Sequence, residues 1–178
     1  MTTFSTDVLE QARGVQLLIL DVDGVLTDGR LFYNTSGVET KAFYAQDGAA
    51  IKMLQSVGIP VAIVTGRTSR IVEHRARELG ITHVYQGVQD KADALAELTT
   101  SSRIAAHDMA HAGDDVADLA LFRQVGFKVS VPSGHPVVLA AADYVTDNAA
   151  GLGAVREICQ LIMQAKDLWN DAIRQALQ

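Results

Sequence analysis

Residues 17–29 read Leu17-Leu18-Ile19-Leu20-Asp21-Val22-Asp23-Gly24-Val25-Leu26-Thr27-Asp28-Gly29 and contain the strongest structural signal in the chain. A strand is predicted over 16–20, where the residues are almost continuously apolar rather than alternating, as in a strand covered on both faces of a parallel sheet. Asp21 and Asp23 follow that strand directly. Because ligands of open parallel sheets bind at the carboxyl ends of the strands, these two carboxylates mark a candidate site.

Similar apolar runs recur along the chain, and helical patterns lie between them. The runs lie at 61–64, 83–85, 109–112, 128–131 and 144–146, and the helical patterns at 49–57, 69–79, 91–98 and 116–125. Gly58, Gly80 and Gly126 follow three of the helical patterns, which is the usual place for a glycine that ends a helix. This alternation predicts an α/β fold, a Rossmann-like doubly wound parallel sheet with crossover helices.

Two segments depart from the alternation. Residues 30–44 are rich in aromatic and β-branched side chains around Thr35-Ser36-Gly37, which predicts a small β-hairpin insertion. Apolar residues spaced at three and four across 154–177 predict one long amphipathic C-terminal helix. No polar linker divides the sequence, so we expect residues 1–178 to form a single domain with the hairpin insertion and no cap domain.

Composition and charge exclude several classes of protein. The chain has 178 residues, of which 48% are hydrophobic, and this suffices to fill the core of one domain. Fifteen lysines and arginines against 21 acids give a net charge of −6, so we expect no nucleic-acid and no membrane partner. No apolar run approaches the roughly 18 residues of a membrane span, and no secretory signal is visible, which predicts a cytoplasmic protein. The single cysteine, Cys159, lies among apolar residues and is expected to be buried.

Polar residues follow four of the predicted strands. These are Asp21 and Asp23 after the first strand, Thr65, Gly66 and Arg67 after the second, Lys91 after the third, and Asp114, Asp115 and Asp118 after the fourth. We expect the carboxylates of Asp21, Asp23, Asp114 and Asp115 to converge at one edge of the sheet. Carboxylates about 4 Å apart repel by roughly 4 kcal/mol at an effective dielectric constant near 20, so such a cluster requires a cation. Oxygen ligands select a hard ion, and Mg²⁺ suits a site that also takes a phosphate.

The remaining polar residues of this set suit a phosphate group. Thr65 offers a hydroxyl, Gly66 an unobstructed backbone N–H and Lys91 a positive charge. Asp21 can attack phosphorus, and Asp23 can protonate the leaving alcohol and then deprotonate the hydrolytic water. These residues predict a phosphate-handling Mg²⁺ site at which an aspartyl-phosphate can form and be hydrolysed.

The order of these motifs resembles that of the haloacid-dehalogenase-like phosphatases, and the chain looks like the capless branch of that family. The motifs are Asp21-x-Asp23-Gly24-Val25-Leu26-Thr27-Asp28-Gly29, Thr65-Gly66-Arg67, Lys91 and Gly113-Asp114-Asp115-x-x-Asp118, and the resemblance spans about 17–162. It implies Asp21 as the nucleophile and Asp23 as the acid and base. It also implies Mg²⁺ on the carboxylates of Asp21 and Asp114 and the backbone carbonyl of Asp23, with Thr65 and Lys91 on phosphate.

The resemblance extends to substrate and assembly. It implies hydrolysis of 3-deoxy-D-manno-octulosonate 8-phosphate, a phosphorylated sugar acid of lipopolysaccharide precursor synthesis, by a homotetramer in which one subunit covers its neighbour's site. A related branch that acts on nine-carbon keto acids tends to have Glu at the position of Arg67, so Arg67 favours the eight-carbon substrate. Close relatives usually carry Trp-Pro where this chain has Leu119-Ala120, and Gly-Gly-Arg-Gly where it has Ala150-Gly151-Leu152-Gly153.

Several residues allow a second interpretation. Arg67 and Arg75 either meet a substrate carboxylate or are solvated on a helix face. Asp115 is expected to support the metal site from behind the direct ligands, and Asp118 to be an acid on a helix surface. The five histidines show no ligand spacing and are interpreted as structural; they are His74, His83, His107, His111 and His135.

The hairpin and the activity also leave alternatives open. The aromatic residues of the hairpin segment either fill a core or form a subunit interface; they are Phe32, Tyr33, Phe43 and Tyr44. An alternative activity is a phosphatase of a related sugar phosphate or of a nine-carbon keto-acid phosphate. A less favoured alternative is a receiver-like phosphoacceptor domain, in which the acid pair follows the first strand and the phosphorylated Asp a later one.

Overall fold

A six-stranded parallel β-sheet is the centre of the structure, a computed structural model that describes residues 3–177. The strands are β1 (Leu17–Leu20), β2 (Phe32–Tyr33), β3 (Glu39–Thr40), β4 (Val61–Val64), β5 (His83–Tyr85), β6 (Met109–Ala112), β7 (Phe127–Ser130) and β8 (Tyr144–Val145). The order in the main sheet is β5-β4-β1-β6-β7-β8. The chain runs outward from β1 in one direction and then returns to run outward in the other, so the direction reverses beside β1. This reversal point is where doubly wound sheets open a crevice for ligands.

Helices cover both faces of the sheet. They are α1 (Thr6–Ala12), α2 (Ala45–Ser56), α3 (Arg70–Leu79), α4 (Lys91–Ser102), α5 (Leu119–Phe122), α6 (Pro136–Ala141), α7 (Ala154–Ala165) and α8 (Trp169–Ala176). Short 3₁₀ turns lie at Ala106–Asp108 and Val116–Asp118. Within residues 3–177, no helix combines the length and hydrophobicity needed to cross a bilayer.

The apolar run of β1 explains its central position. Leu18 and Leu20 contribute to the apolar cluster shared with α1, α2, α3 and α7, whereas Leu17 and Ile19 contribute to the cluster shared with α4 and α5. All four side chains are fully buried. A strand that packs on both faces needs apolar residues at every position, which is why its sequence does not alternate. The predicted α/β doubly wound sheet is confirmed.

The predicted hairpin is present, with strands of two residues each rather than the longer strands expected within 30–44. The side-chain oxygen of Asn34 accepts hydrogen bonds from the backbone N–H groups of Ser36 and Val38, which closes the turn. Phe32 and Tyr33 are exposed, whereas Phe43 packs against the core. The hairpin therefore presents aromatic surface to its surroundings.

The prediction of one helix over 154–177 is wrong, because α7 ends at Ala165 and α8 begins at Trp169. Asp167 has φ 59°, in the left-handed region, and its N–H donates to the carbonyl of Gln164. The N–H of Leu168 donates to the carbonyl of Met163. This pair of bonds is the Schellman arrangement that ends helices, with an aspartate in the position that glycine usually takes.

Candidate active site

A cavity of about 490 Å³ opens where β1, β4 and β6 end. Its lining includes Asp21, Asp23, Thr65, Gly66, Arg67, Lys91, Asp114, Asp115 and Asp118. The structure thus places residues from all four sequence motifs around one cavity. Arg75 is not among the lining residues: it lies on α3, pairs with Glu78 at 3.3 Å and covers the ring of Phe43 at 5.8 Å.

Asp21 lies directly after β1, and its backbone N–H donates to the carbonyl of Ala112 at 3.0 Å, which continues the pairing of β1 with β6. One carboxylate oxygen of Asp21 accepts a hydrogen bond from the ammonium of Lys91 at 2.8 Å. Burial raises the pKa of Asp21, and the charge of Asp118 adds to this, while Lys91 opposes it. The side chain is therefore a buried carboxylate in contact with one fixed cation.

Lys91 is the first residue of α4, and the side chain of Asp90 caps that helix by accepting from the N–H of Ala92 at 2.8 Å. The buried ammonium of Lys91 lies between Asp21 and Asp118, at 2.8 and 2.6 Å. Burial alone would lower the pKa of Lys91, but the two carboxylates outweigh it and raise that pKa. Lys91 is thus a charged group at the base of the cavity.

Asp118 is buried, so its interpretation as a helix-surface acid is wrong. One of its oxygens accepts from Lys91 at 2.6 Å and contacts His111 Nε2 at 2.8 Å, and the other accepts the backbone N–H groups of Asp114 and Asp115, each at 3.0 Å. Burial would raise the pKa of Asp118, but His111 and Lys91 more than offset this and hold it well below its usual range. Asp118 follows Asp115 by three residues, the spacing of a capping box, and that spacing was available in the sequence.

His111 also lies closer to the site than its interpretation as a purely structural residue suggests. It is fully buried on β6, with Nδ1 3.3 Å from the carbonyl of Ile19 and Nε2 against Asp118. His111 therefore supports the carboxylate that in turn holds Lys91.

Asp114 is half-buried, and its Oδ1 is a buried atom with no hydrogen-bond partner among the described residues. Gly24 packs against this group so closely that a Cβ there would lie 2.1 Å from Asp114 Oδ2, and Gly24 has φ 104°. Burial raises the pKa of Asp114 to about 7, with contributions from the charges of Asp21, Asp118 and Asp115. A carboxylate that lacks a donor and lies among other carboxylates is suited to a cation.

Carboxylate oxygens of Asp21, Asp114 and Asp118 lie within 4.8 Å of one another. Asp118 already engages both of its oxygens with four donor groups, so Asp21 and Asp114 have the free lone pairs. An all-oxygen donor set of this kind fits a hard divalent ion such as Mg²⁺. The side chain of Asp115 instead accepts from the N–H of Val116 at 2.7 Å and caps its own turn.

Asp23 lines the same cavity and is contacted by two cations. Its Oδ1 accepts a hydrogen bond from the ammonium of Lys41, and its Oδ2 lies 3.4 Å from Nε of Arg67. Glu39 on the hairpin binds Arg67 at 2.8 Å and Ser69 Oγ at 2.8 Å. Lys41 and Glu39 were not predicted as site residues, because nothing local in the sequence shows that the hairpin folds back on the first loop.

Thr65 and Gly66 follow β4 at the cavity wall. Thr65 is buried, its N–H donates to the carbonyl of Tyr85 at 2.9 Å, and its carbonyl accepts from Val88 at 3.2 Å. These bonds fix the backbone, while a Cβ at Gly66 would approach the carbonyl of Val88 to 3.5 Å. The segment is therefore a rigid loop with an open face toward the cavity.

Comparisons with known proteins agree with this geometry. A haloacid dehalogenase-like hydrolase family model matches residues 82–158. The 3-deoxy-D-manno-octulosonate 8-phosphate phosphatase KdsC of Escherichia coli strain K12 is 43% identical over 173 residues, covering 97% of this chain and 92% of the relative.

Solved structures give the same result. A crystal structure of 3-deoxy-D-manno-octulosonate 8-phosphate phosphatase from Moraxella catarrhalis, in complex with magnesium ion, phosphate ion and KDO, superposes with a TM-score of 0.92 at 44% identity, covering 98% of this chain and 100% of that one. The cobalt-bound deoxy-D-mannose-octulosonate 8-phosphate phosphatase of Haemophilus influenzae has a TM-score of 0.89 at 35% identity, covering 94% and 99%.

Proposed function

This chain belongs to the haloacid dehalogenase-like hydrolases, and from that premise we propose that it hydrolyses 3-deoxy-D-manno-octulosonate 8-phosphate to the free sugar acid and phosphate. The observation that supports this best is the convergence of Asp21, Asp23, Asp114 and Lys91 on one cavity. The near full-length similarity to phosphatases of this substrate adds the substrate class.

Asp21 and Asp23 divide the chemistry between them. Asp21 attacks phosphorus, the bond from phosphorus to the sugar oxygen breaks, and Asp23 gives its proton to that oxygen. Water then attacks the aspartyl-phosphate, Asp23 takes a proton from the water, and the bond from Asp21 to phosphorus breaks. Phosphate leaves, and both side chains return to their starting states.

Lys91, Thr65 and Gly66 bind the phosphoryl oxygens in this proposal. Lys91 supplies a fixed charge beside Asp21, 2.8 Å away, and Thr65 and Gly66, which line the same cavity, supply donors. Mg²⁺ would be held by the carboxylates of Asp21 and Asp114 and the backbone carbonyl of Asp23. When bound, it offsets the negative charge of these carboxylates and of the phosphate.

The sugar acid part of the substrate extends from the phosphate toward the cavity mouth. Arg67 lies there, half exposed, and we assign it to the substrate carboxylate. Its guanidinium is held by Glu39 at 2.8 Å and by the hydroxyl of Tyr33 at 2.7 Å, so its direction is already fixed. Leu119 and Ala120 line the same cavity, so the difference from Trp-Pro in close relatives falls on the cavity wall.

We further propose that the protein is a homotetramer in which neighbouring subunits cover the cavities. The hairpin exposes four large apolar side chains, Leu31, Phe32, Tyr33 and Val38. Such clustered apolar surface is typical of an interface. Because Arg75 lies outside the cavity of its own subunit, any contact it makes with substrate would be in a neighbour's cavity.

The test is a panel of phosphorylated sugars and sugar acids, assayed with and without Mg²⁺ and including a nine-carbon keto-acid phosphate. We expect the highest kcat/KM on 3-deoxy-D-manno-octulosonate 8-phosphate and none without the metal. Good turnover of other esters and none of this one would refute the substrate assignment. Asp21→Asn is the control for the covalent route, and appreciable activity in that variant would refute it.

A further inference from the structure

Lys41 is buried next to the catalytic machinery. It follows β3 on the hairpin, and only 1% of its side chain is exposed. Its ammonium contacts the carboxylate of Asp23 and lies 3.3 Å from Glu39. Lysine is almost never this buried unless it is paired, because taking the ammonium out of water is strongly unfavourable. The burial of Lys41 therefore has to be explained by its two partners, Asp23 and Glu39.

The two oxygens of Asp23 have different surroundings. Oδ1 accepts the hydrogen bond from Lys41, whereas Oδ2 is buried and makes no hydrogen bond in the part of the chain that the structure describes. The nearest cation to Oδ2 is Arg67, whose Nε is 3.4 Å away, beyond a good hydrogen bond. Oδ1 is thus held by a hydrogen bond, whereas Oδ2 is left without one among the described residues.

A role in anchoring the hairpin does not by itself explain why Lys41 is buried against Asp23. Glu39 already joins the hairpin to the loop after β4, through Arg67 at 2.8 Å and Ser69 Oγ at 2.8 Å. Tyr33 adds a further bond to Arg67 at 2.7 Å. The contact of Lys41 goes instead to the side chain that exchanges protons in the reaction.

We propose that Lys41 is a positioning residue for Asp23, an inference that rests on the phosphatase function proposed above. Lys41 holds Oδ1 and thereby fixes the carboxyl group so that Oδ2 faces the reacting oxygen. Oδ2 gives its proton to the sugar oxygen as the ester bond to phosphorus breaks, and it then takes a proton from the water that attacks the aspartyl-phosphate. Lys41 itself neither gains nor loses a proton.

The experiment compares Lys41→Met with the wild type on a series of phosphate esters of graded leaving-group basicity. An ester of p-nitrophenol releases a stable anion and needs little protonation, whereas an alkyl ester needs the proton from Asp23. We expect the rate of the first turnover to fall by about 10²-fold on the alkyl ester, the scale of general acid catalysis, and by less than about 3-fold on p-nitrophenyl phosphate. The dependence of rate on leaving-group basicity becomes steeper in the variant.

Lys128→Met is the matched control, because it also removes a lysine paired with an aspartate, Asp143 at 3.0 Å, but remote from the cavity. We expect it to leave the leaving-group dependence unchanged. An equal loss on all esters in Lys41→Met would overturn the proposal, since a loosened fold does not distinguish leaving groups. If Lys41→Met does not fold, Lys41→Gln is measured with the same esters. Because its amide can still donate to Oδ1 but carries no charge, we expect a smaller loss that again falls mainly on the alkyl ester.

A double variant tests whether Lys41 acts through Asp23. In an Asp23→Asn background, adding Lys41→Met is expected to change the first-turnover rate by less than about twofold, because the group that Lys41 positions can no longer exchange a proton. A further loss as large as in the wild-type background would overturn the proposal. Failure of the wild type to hydrolyse any ester would instead refute the proposed function.

Discussion

Asp118 accepts hydrogen bonds from Lys91, His111 and the backbone N–H groups of Asp114 and Asp115, all from a buried position. An amide in its place has one accepting oxygen and turns a donor toward other donors. We therefore expect Asp118→Asn to lower the free energy of unfolding by roughly 3 kcal/mol, the scale for breaking a buried ion pair. Urea unfolding monitored by circular dichroism measures it.

Asp171 provides the comparison for Asp118, because it pairs with Arg174 on an exposed face of α8. Asp171→Asn is expected to cost less than about 0.5 kcal/mol, as is usual for surface ion pairs. Equal stabilities of the two variants would contradict the role of Asp118 as the group that holds the cavity base together.

Asp114 predicts a pH dependence of metal binding. Its pKa is raised from 3.8 to about 7 by burial and by its acidic neighbours, so the metal-free protein retains a proton on Asp114 below that pH. Mg²⁺ must displace this proton, so its affinity should rise with pH up to about 7, by up to about tenfold per unit, and then level off. Calorimetric titration at pH 6, 7 and 8 measures it.

The raised pKa of Asp114 also determines how the stability of the metal-free protein depends on pH. The native state binds more protons at Asp114 than the unfolded chain between the two pKa values, so the contribution of this group to stability falls as pH rises from about 4 to about 7. The gain in Tm on adding Mg²⁺ should accordingly be larger at pH 8 than at pH 6. A gain that is equal at both would count against Asp114 as a ligand.

Some residues of the site could be predicted from the sequence and others could not. Asp21, Asp23 and Asp114 could be predicted because each follows an apolar strand, and strand ends meet at one edge. Lys41 and His111 could not, since the first depends on the path of a hairpin and the second on the pairing of β6 with β1. Such pairings join distant parts of the chain and leave no local pattern.

At the scale of the elements, a side chain of α2 caps α7. The carboxylate of Asp47 accepts from the backbone N–H of Arg156 at 2.8 Å, while its second oxygen is buried without a partner in the described residues. Burial raises the pKa of Asp47. The cap links the two helices that pack beneath β1.

We expect Asp47→Ala to lower the free energy of unfolding by about 1 kcal/mol, the usual cost of a lost cap, and Asp47→Asn to cost less. Because the folded-state pKa of Asp47 is raised, its contribution to stability falls as pH rises through the window above 3.8. Asp47→Asn removes that fall, so it should gain on the wild type at higher pH in urea unfolding.

Asp90 is the matched control for this helix cap, because it caps α4 from an exposed position. We expect Asp90→Asn to leave the pH dependence of stability as in the wild type. If Asp47→Asn did the same, the buried carboxylate would not be the source of that dependence.

At the C-terminus the helical spacing of apolar residues was identified correctly, but the single helix predicted from it is two helices, α7 and α8. In the sequence, Ile162, Trp169 and Ile173 keep the spacing of one helix face across 154–177, although Ile173 is exposed in the structure. The break depends on one left-handed residue, Asp167, which is neither glycine nor asparagine. Such a break could not be read from hydrophobic periodicity, because periodicity records the buried face and not the backbone path.

For the whole molecule, the sequence predicts the fold better than it predicts which residues are exposed at the surface. Short apolar strands alternating with helices leave few arrangements other than a doubly wound sheet, and the order around β1 then places the cavity. Which residues of the hairpin are exposed depends on packing that sequence spacing does not encode. Phe32 and Tyr33 are exposed while Phe43 packs inward, although all three are aromatic residues of the same segment, 30–44.

Those exposed residues predict how assembly and activity are linked. Phe32 is 50% exposed on the hairpin, next to Tyr33, whose hydroxyl binds Arg67 at the cavity mouth. A carboxylate in the centre of an apolar interface is strongly unfavourable, so Phe32→Glu should shift the protein toward monomers in sedimentation velocity. If neighbouring subunits cover the cavity, kcat/KM on the sugar-acid phosphate should fall as the protein dissociates, while the thermal unfolding midpoint at low concentration changes little.

Val137→Glu, at 48% exposure on α6, is the matched control and should change neither assembly nor turnover. A wild type that sediments as a fully active monomer would show that the hairpin does not form the interface.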